Sequence, residues 1–490
     1  MRKMKRLVAS RPRLVAVGSY GAMNALPQLT TAFLALVYTS VFSLPEYGAY
    51  GALSAVSGVL AIVLDMGLSQ AIFRNYYDRH ADDAAASAYL SSIVYASKVV
   101  AFVALPLIGL VFYILWNWLY PDFSSSVFYI LLLLGVSYFD RSTEMLGVLC
   151  RALERPLAFA LGRIVQTLVT IIIAVGTVFV LDMHISGAFL ALLGGRIGSS
   201  STYYFLLRDK LVLHNARFDW HHMKEGLALG LPFVPSRLGN WARTAGPRAA
   251  LVHTTPLYFV GLFSLGSSIA SLPSLLSTAV DLALGPHYFK MRTADSVPVT
   301  DKMKVFGTVF GGSLVPIWAG LILFSREIVG LFSQEYAGAA PICAVLFVAT
   351  FLRTQQQFVT RQLYFLRQTW IFPLITIPVG LGCVFSALVL SPLYGIVAAA
   401  WSVVIADMLV FISVAWAVRR IEPLDYRLDH ALCFFALLFS LSVWVVADEP
   451  LPVYWSPLGS KMVFLALVSC GCVWMWIWPN RRFIRAIVAG

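Results

Sequence analysis

Apolar runs of about 20 residues, separated by charged or turn-rich breaks, dominate this chain; a helix needs that length to cross a bilayer core. Fourteen such stretches are predicted as helices. Six lie near 15 to 42, 47 to 73, 86 to 118, 124 to 149, 157 to 181 and 185 to 207, and a polar connector from Arg208 to Lys224 follows. Six more lie near 225 to 251, 257 to 285, 304 to 325, 339 to 366, 370 to 390 and 395 to 418, with a final pair near 428 to 447 and 459 to 478. The pattern predicts an all-α polytopic membrane protein.

The seventh stretch departs from the rest. Between Gly226 and Val252 it carries three prolines, Pro232, Pro235 and Pro247, and three arginines, Arg237, Arg243 and Arg248. Each proline removes a backbone donor and bends the helix, which a membrane span tolerates where protein or water satisfies the freed carbonyls. An arginine at the bilayer centre costs roughly 2.5–3.5 kcal/mol on insertion scales, so each should face protein, water or a negative partner. On a regular helix Arg237 and Arg248 would project within about 20° of each other, beside Asn240, Trp241 and Thr244, with Arg243 roughly 120° away. An anionic ligand is the simplest reason for that stripe; pairing with internal acids is the alternative.

A weak repeat with a period of roughly 210 residues organises the chain. The second stretch contains GAYGAL at 48 to 53, Asp65 and RNYY at 74 to 77; the eighth contains GLFSL at 261 to 265, Asp281 and PHYF at 286 to 289. Same-order matches with an even number of spans per repeat imply parallel repeats. The expected organisation is two pseudo-symmetric six-helix lobes around a central cavity, residues 1–212 and 213–422, with two additional helices in 423–490.

Composition agrees: 59% of residues are hydrophobic and 12% charged, where soluble proteins carry about 25% charged. The net charge of +12 is explained by where it sits. Lys and Arg cluster in one alternate set of connecting segments, from Arg2 to Arg13 and at Arg74, Arg151, Arg155, Arg208, Arg217, Arg419, Arg420, Arg481 and Arg482, while the opposite set holds little beyond Arg326 and Lys461. By the positive-inside rule both termini are cytoplasmic, and nucleic acid is not needed to explain the charge. No cleavable signal precedes the first span, which acts as its own. The loops on the far side are short, which leaves no room for an external catalytic domain and argues against an enzyme. Six cysteines fall mostly in apolar runs without metal-ligand spacing, and His221 and His222 stand without further ligands, so no metal is expected. The GGR run at 194 to 196 is read as a helix contact, not a phosphate loop.

Inside the predicted spans, leaving aside their first three residues, lie nine basic residues, Lys98, Arg141, Arg163, Arg196, Arg237, Arg243, Arg248, Arg353 and Arg361, against five acids, Asp65, Asp140, Glu144, Asp281 and Asp407. Internal pairing cannot neutralise them all. Arg163 and Arg361, near inner ends, are read as snorkelling. Arg237, Arg243, Arg248, Arg353, Arg141, Lys98 and Arg196 are the candidates for binding an anionic substrate, with Gln357 and Thr360 on the face of Arg353. Asp140 and Glu144 share a helical face beside Arg141, as either a structural ion network or an ion-coupling site, and Asp407 is a further ion-coupling candidate. Asp65 and Asp281, at equivalent inner helix ends, are read as fixing turns.

Pro45, Glu46, Tyr47, Gly48 and Tyr50 open the second stretch, Asp65, Gly67 and Leu68 close it before Arg74, Gly230, Leu231 and Pro232 open the bend of the seventh, and Gly285 with Pro286 ends the eighth. In these positions the chain resembles the Wzx-type polysaccharide flippases of the multidrug/oligosaccharidyl-lipid/polysaccharide exporter superfamily over essentially its whole length. Where many relatives look like they carry an Asp-Arg pair late in the seventh helix, this chain has Pro247 and Arg248. The resemblance implies a flippase in the bacterial inner membrane that moves an undecaprenyl-pyrophosphate-linked oligosaccharide from the cytoplasmic to the periplasmic leaflet by alternating access. It implies no cofactor, with possible H+ or Na+ coupling, and as partners the lipid-linked oligosaccharide, membrane lipids and a polysaccharide polymerase or other assembly proteins. Guanidinium forks match phosphate oxygens, which suits the basic excess to a pyrophosphate. A peptidoglycan-precursor flippase, a cation-coupled drug or metabolite exporter and a non-transporting scaffold of a polysaccharide assembly complex are the rival readings.

Overall fold

The structure, a computed structural model, describes residues 12–72, 83–119, 126–211, 219–277, 300–366, 368–424, 426–447 and 457–472. All regular elements among them are helical. Asp281, and with it the RNYY and PHYF runs of the repeat, lies outside the described residues. The chain divides into two compact units, Met1–Gly261 and Leu262–Gly490.

In the first unit the helices are α1 (Pro12–Thr39), α2 (Leu44–Asp65), α3 (Asp83–Leu119), α4 (Ser126–Ala152), α5 (Pro156–Ala174) and α6 (His184–Leu206), followed by a broken seventh span. That span consists of α7 (Trp220–Gly230), a 3-10 turn (Leu231–Phe233), α8 (Val234–Thr244) and α9 (Gly246–Leu251). Pro232, Pro235 and Pro247 each fall in the first turn of a new piece, where the missing N–H has no intrahelical partner to lose. Arg243 and Arg248 fall in the last turns of α8 and α9, where positive charge complements the helix dipole. The prolines thus convert one apolar run into three short helices, and the single stripe projected for a regular helix does not form.

Helix α2 sits at the centre of this unit. Ser43 N–H donates to Glu46 Oε2 at 2.9 Å and fixes its start. It packs on α4, where Ser137 Oγ donates to the Ser57 carbonyl at 3.1 Å, and on α8, where Trp241 Nε1 donates to the Ala55 carbonyl at 2.9 Å. Its end is a left-handed turn through Met66 and Gly67, with φ of 47° and 72°. The Gly67 backbone lies so close to Gly230 that a Cβ would collide with the Gly230 carbonyl. The α2 turn and the break in the seventh span are therefore held together backbone to backbone. Helices α5 and α6 pack through Gly194 and Gly195 against Ile173, Gln166 and Thr170, so the GGR run is a helix contact. Beyond α6, Arg155 Nη1 donates to Asp209 Oδ1 at 2.7 Å, and this bonding holds the Asp209 carboxyl below the usual carboxylate range.

The second unit takes up the chain within α10 (Leu257–Ala270) and continues through α11 (Thr300–Leu323), α12 (Ala339–Phe365), α13 (Ile371–Tyr394), α14 (Ile396–Ile421), α15 (Leu428–Val446) and α16 (Pro457–Cys472). Its most buried helix is α12, which packs on α11, α14 and α15. Trp318 Nε1 donates to Thr350 Oγ1 at 3.1 Å between α11 and α12, and Tyr426 Oη donates to the buried Gln355 Oε1 at 2.5 Å. Helices α13 and α14 meet at Gly395, whose φ of 79° sets the tight corner between two antiparallel helices.

All fourteen predicted stretches are thus helical in their described parts, the seventh as a broken span. Eight helices among the described residues are long and apolar enough to cross a membrane by length and composition. Helix α4 is not among them because Asp140, Arg141, Glu144 and Arg151 load it with charge. The outward faces carry large apolar side chains such as Phe102, Leu107, Ile172, Leu381 and Phe385, all more than 60% exposed, as lipid contact requires.

Candidate substrate-binding site

Several charged residues of the first unit meet α2. At its C-terminal end the Asp65 carboxylate, 2% exposed, accepts from Ser69 Oγ through one oxygen and from Arg237 Nη1 through the other. The turn at Met66 and Gly67 brings Ser69 back to the carboxylate, and the 3-10 break in the seventh span delivers Arg237 from α8. The Arg237 side chain keeps a third of its surface exposed. Asp65 therefore fixes a turn, as expected, and also anchors a guanidinium, which the sequence reading did not assign. The short spacing Asp65 to Ser69 at the end of an apolar run was the available signal.

Next to this pair, α4 contributes Arg141, which is 2% exposed. Its Nη2 donates to Ser97 Oγ of α3 at 2.5 Å and reaches Met145 Sδ at 3.7 Å. Its Nε and Nη1 have no hydrogen-bond partner among the described residues. Asp65 is the acid in electrostatic reach of this guanidinium, and Lys98 is a cation in its reach. Lys98 Nζ itself lies 4.5 Å from the centre of the Tyr204 ring. Arg141 is thus brought into the cluster but presents no surface to a ligand here.

Asp140 and Glu144, one helical turn apart on α4, take separate partners. Asp140 Oδ1 pairs with Arg196 Nη1 of α6 at 2.9 Å. Glu144, with 43% of its side chain exposed, lies 3.6 Å from Arg151 and 3.7 Å from Arg163. Arg163 is buried against the Phe159 ring, 5.3 Å away, so it is packed within the unit where snorkelling was expected. Towards the N-terminal end of α2, Arg196 and Arg248 both come within electrostatic reach of the Tyr50 hydroxyl. Arg243 turns inward, 4% exposed, and donates through Nη2 to Asn240 Oδ1 at 2.7 Å. Arg237 and Arg248 are thereby stationed near opposite ends of α2, whose residues Asp65 and Tyr50 lie roughly 22 Å apart along the helix.

Leaving aside their first three residues, the predicted spans of this unit contain Lys98, Arg141, Arg163, Arg196, Arg237, Arg243 and Arg248 against Asp65, Asp140 and Glu144, seven cations to three acids. In a low-dielectric surrounding that excess favours an oxyanion, and bidentate guanidinium donors suit phosphate.

In the second unit Arg353 Nε of α12 donates to Asp407 Oδ2 of α14 at 2.8 Å; Asp407 is fully buried and Arg353 is 30% exposed. Arg353, Gln357 and Thr360, read from their spacing as one face, each keep part of their surface exposed, as does the neighbouring Gln356, while Thr354 and Gln355 are buried. Arg361 is packed over the Phe358 ring at 5.5 Å, again buried where snorkelling was expected. No group of three or more His, Cys, Asp or Glu side chains poised for a metal occurs among the described residues.

A family model described as "Polysaccharide biosynthesis protein" matches residues 17–291, more than half of the chain. None of the curated proteins compared with the chain matches it. Among solved structures the chain is similar to the lipid II flippase MurJ in an inward closed conformation, with a TM-score of 0.71 at 15% identity over 95% of this chain and 99% of that one. It is also similar to an inward-facing multidrug resistance MATE family transporter of the MOP superfamily, with a TM-score of 0.65 at 15% identity over 84% and 96% of the two chains. A third is a MOP superfamily transporter from Pyrococcus furiosus, described as having a binding pocket of reversed polarity, with a TM-score of 0.53 at 15% identity over 83% and 95%. At such identities these likenesses concern the fold.

Proposed function

The chain belongs to the polysaccharide biosynthesis protein family, flippases of the MOP superfamily, and from that premise we propose that its cargo is an undecaprenyl-pyrophosphate-linked oligosaccharide moved from the cytoplasmic to the periplasmic leaflet. The observation that carries this reading is the excess of cations in the interior of the first unit's spans, seven against three, with Arg237 part-exposed at one end of α2 and Arg196 and Arg248 near the other. In the proposed path Arg237 captures the pyrophosphate at the inner end, Arg196 and Arg248 receive it farther out, and Arg243 and Arg353 support the positive potential. The sugars travel with the phosphate while the prenyl chain stays in lipid, and alternating access of the repeats at 1–212 and 213–422 exposes the load outward. Asp140, Glu144 and Asp407 are the carboxylates through which H+ or Na+ could be coupled. In this reading the protein lies in the inner membrane with both termini cytoplasmic and works beside a polysaccharide polymerase.

The fold likeness to the lipid II flippase supports a second reading, a peptidoglycan-precursor cargo, which also presents a pyrophosphate on a polyprenyl chain. Deleting the protein and identifying the lipid-linked glycan that accumulates on the cytoplasmic side separates the two. The proposal expects a surface-polysaccharide repeat unit to accumulate in viable cells. It also expects that charge-removing substitutions at Arg237, Arg243 and Arg353 fail to restore export at normal protein levels. Accumulation of peptidoglycan precursor with arrest of growth would support the second reading.

A further inference from the structure

Asp65 is bonded to one guanidinium and lies within electrostatic reach of a second. Arg237, a third exposed, holds Oδ2. Arg141 lies within electrostatic reach, 2% exposed, with Nε and Nη1 lacking partners among the described residues. Lys98, Arg141 and Arg237 together carry three positive charges against the one on Asp65. A buried guanidinium with two unsatisfied nitrogens costs stability unless their N–H groups find an acceptor in another state of the protein.

Binding of a phosphate to Arg237 creates the complementary problem. Two anions on one guanidinium repel, so the carboxylate must yield, and a buried carboxylate that loses its cation is strongly disfavoured. We infer that Arg141 is a positioning residue: when a phosphate occupies Arg237, the Asp65 carboxylate exchanges to the Arg141 guanidinium. The exchange satisfies Arg141, keeps Asp65 paired and leaves Arg237 for the ligand. Because Asp65 ends α2 in the turn packed against Gly230, the same movement couples occupancy of Arg237 to the junction between α2 and the broken seventh span. The inference rests on the proposed capture of a pyrophosphate by Arg237.

The test is equilibrium binding of undecaprenyl pyrophosphate, free of glycan, to the full chain in lipid nanodiscs. Arg141→Met should weaken binding by about tenfold, a typical coupling between linked sites, and Arg141→Lys should recover most of the loss. In an Asp65→Asn background, where no carboxylate needs a second cation, Arg141→Met should have no further effect. An equal loss in both backgrounds, or no loss in either, overturns the exchange. Should Arg141→Met fail to fold, infrared difference spectra of the unaltered protein decide: ligand addition should shift a carboxylate band that is missing in Asp65→Asn, and an unshifted band overturns the inference. Unchanged binding in Arg237→Gln would instead sink the underlying capture reading.

Discussion

The Asp407 carboxylate is fully buried on α14 with the Arg353 guanidinium 2.8 Å away, and removing one member of such a pair differs from removing both. Arg353→Met should destabilise the protein by about 3 kcal/mol, since the buried carboxylate loses its bonded cation. Asp407→Asn combined with Arg353→Met should recover part of that loss, measured as thermal unfolding of the detergent-solubilised chain. Equal loss in the single and double variants would mean the pair is not energetically linked. Both residues stood out in the sequence as charges inside apolar runs, because burying an ion leaves a compositional mark. Their partnership did not, because Arg353 and Asp407 sit 54 positions apart on separate helices. Asp65 illustrates the same limit: the turn role followed from its place at the end of an apolar run, whereas the bond to Arg237, 172 positions away, depends on how α8 packs on α2.

At the scale of elements, apolar length and loop punctuation were enough to place all fourteen stretches, including the two that follow the repeats. The broken seventh span was signalled by three prolines, yet its consequence was not. Each proline starts a new short helix, so the 20° projection linking Arg237 to Arg248 fails, and the two arginines separate along α2 instead of forming one stripe. Snorkelling of Arg163 and Arg361 was the natural reading of basic residues near helix ends, but aromatic rings at 5.3 and 5.5 Å hold them inside. The junction of α2 with the seventh span predicts a sharp glycine requirement. Gly67→Ala combines a left-handed backbone, costing about 1–3 kcal/mol, with a collision against Gly230. It should lower the thermal midpoint and the amount of folded protein in the membrane. Gly382→Ala, at a position with open space around it, should leave both unchanged. Similar behaviour of the two variants would count against a close junction.

For the whole molecule, the positive charge was legible as a total, and its distribution gave it meaning. Connecting segments account for most of the +12, while the spans of the first unit hold a second excess. An acidic site would suit a cationic drug; this one suits a phosphate. Family membership sets the class of activity, and the arrangement of Arg237, Arg196 and Arg248 along α2 supports the nature of the cargo. The most direct measurement is transfer of an undecaprenyl-pyrophosphate-linked oligosaccharide between leaflets of liposomes containing the purified full chain. The protein should move the lipid well above protein-free liposomes, Arg237→Gln should slow transfer at least about tenfold by impairing capture, and Arg248→Gln should chiefly slow release. Transfer no faster than in empty liposomes, or undiminished transfer by Arg237→Gln, would contradict the account.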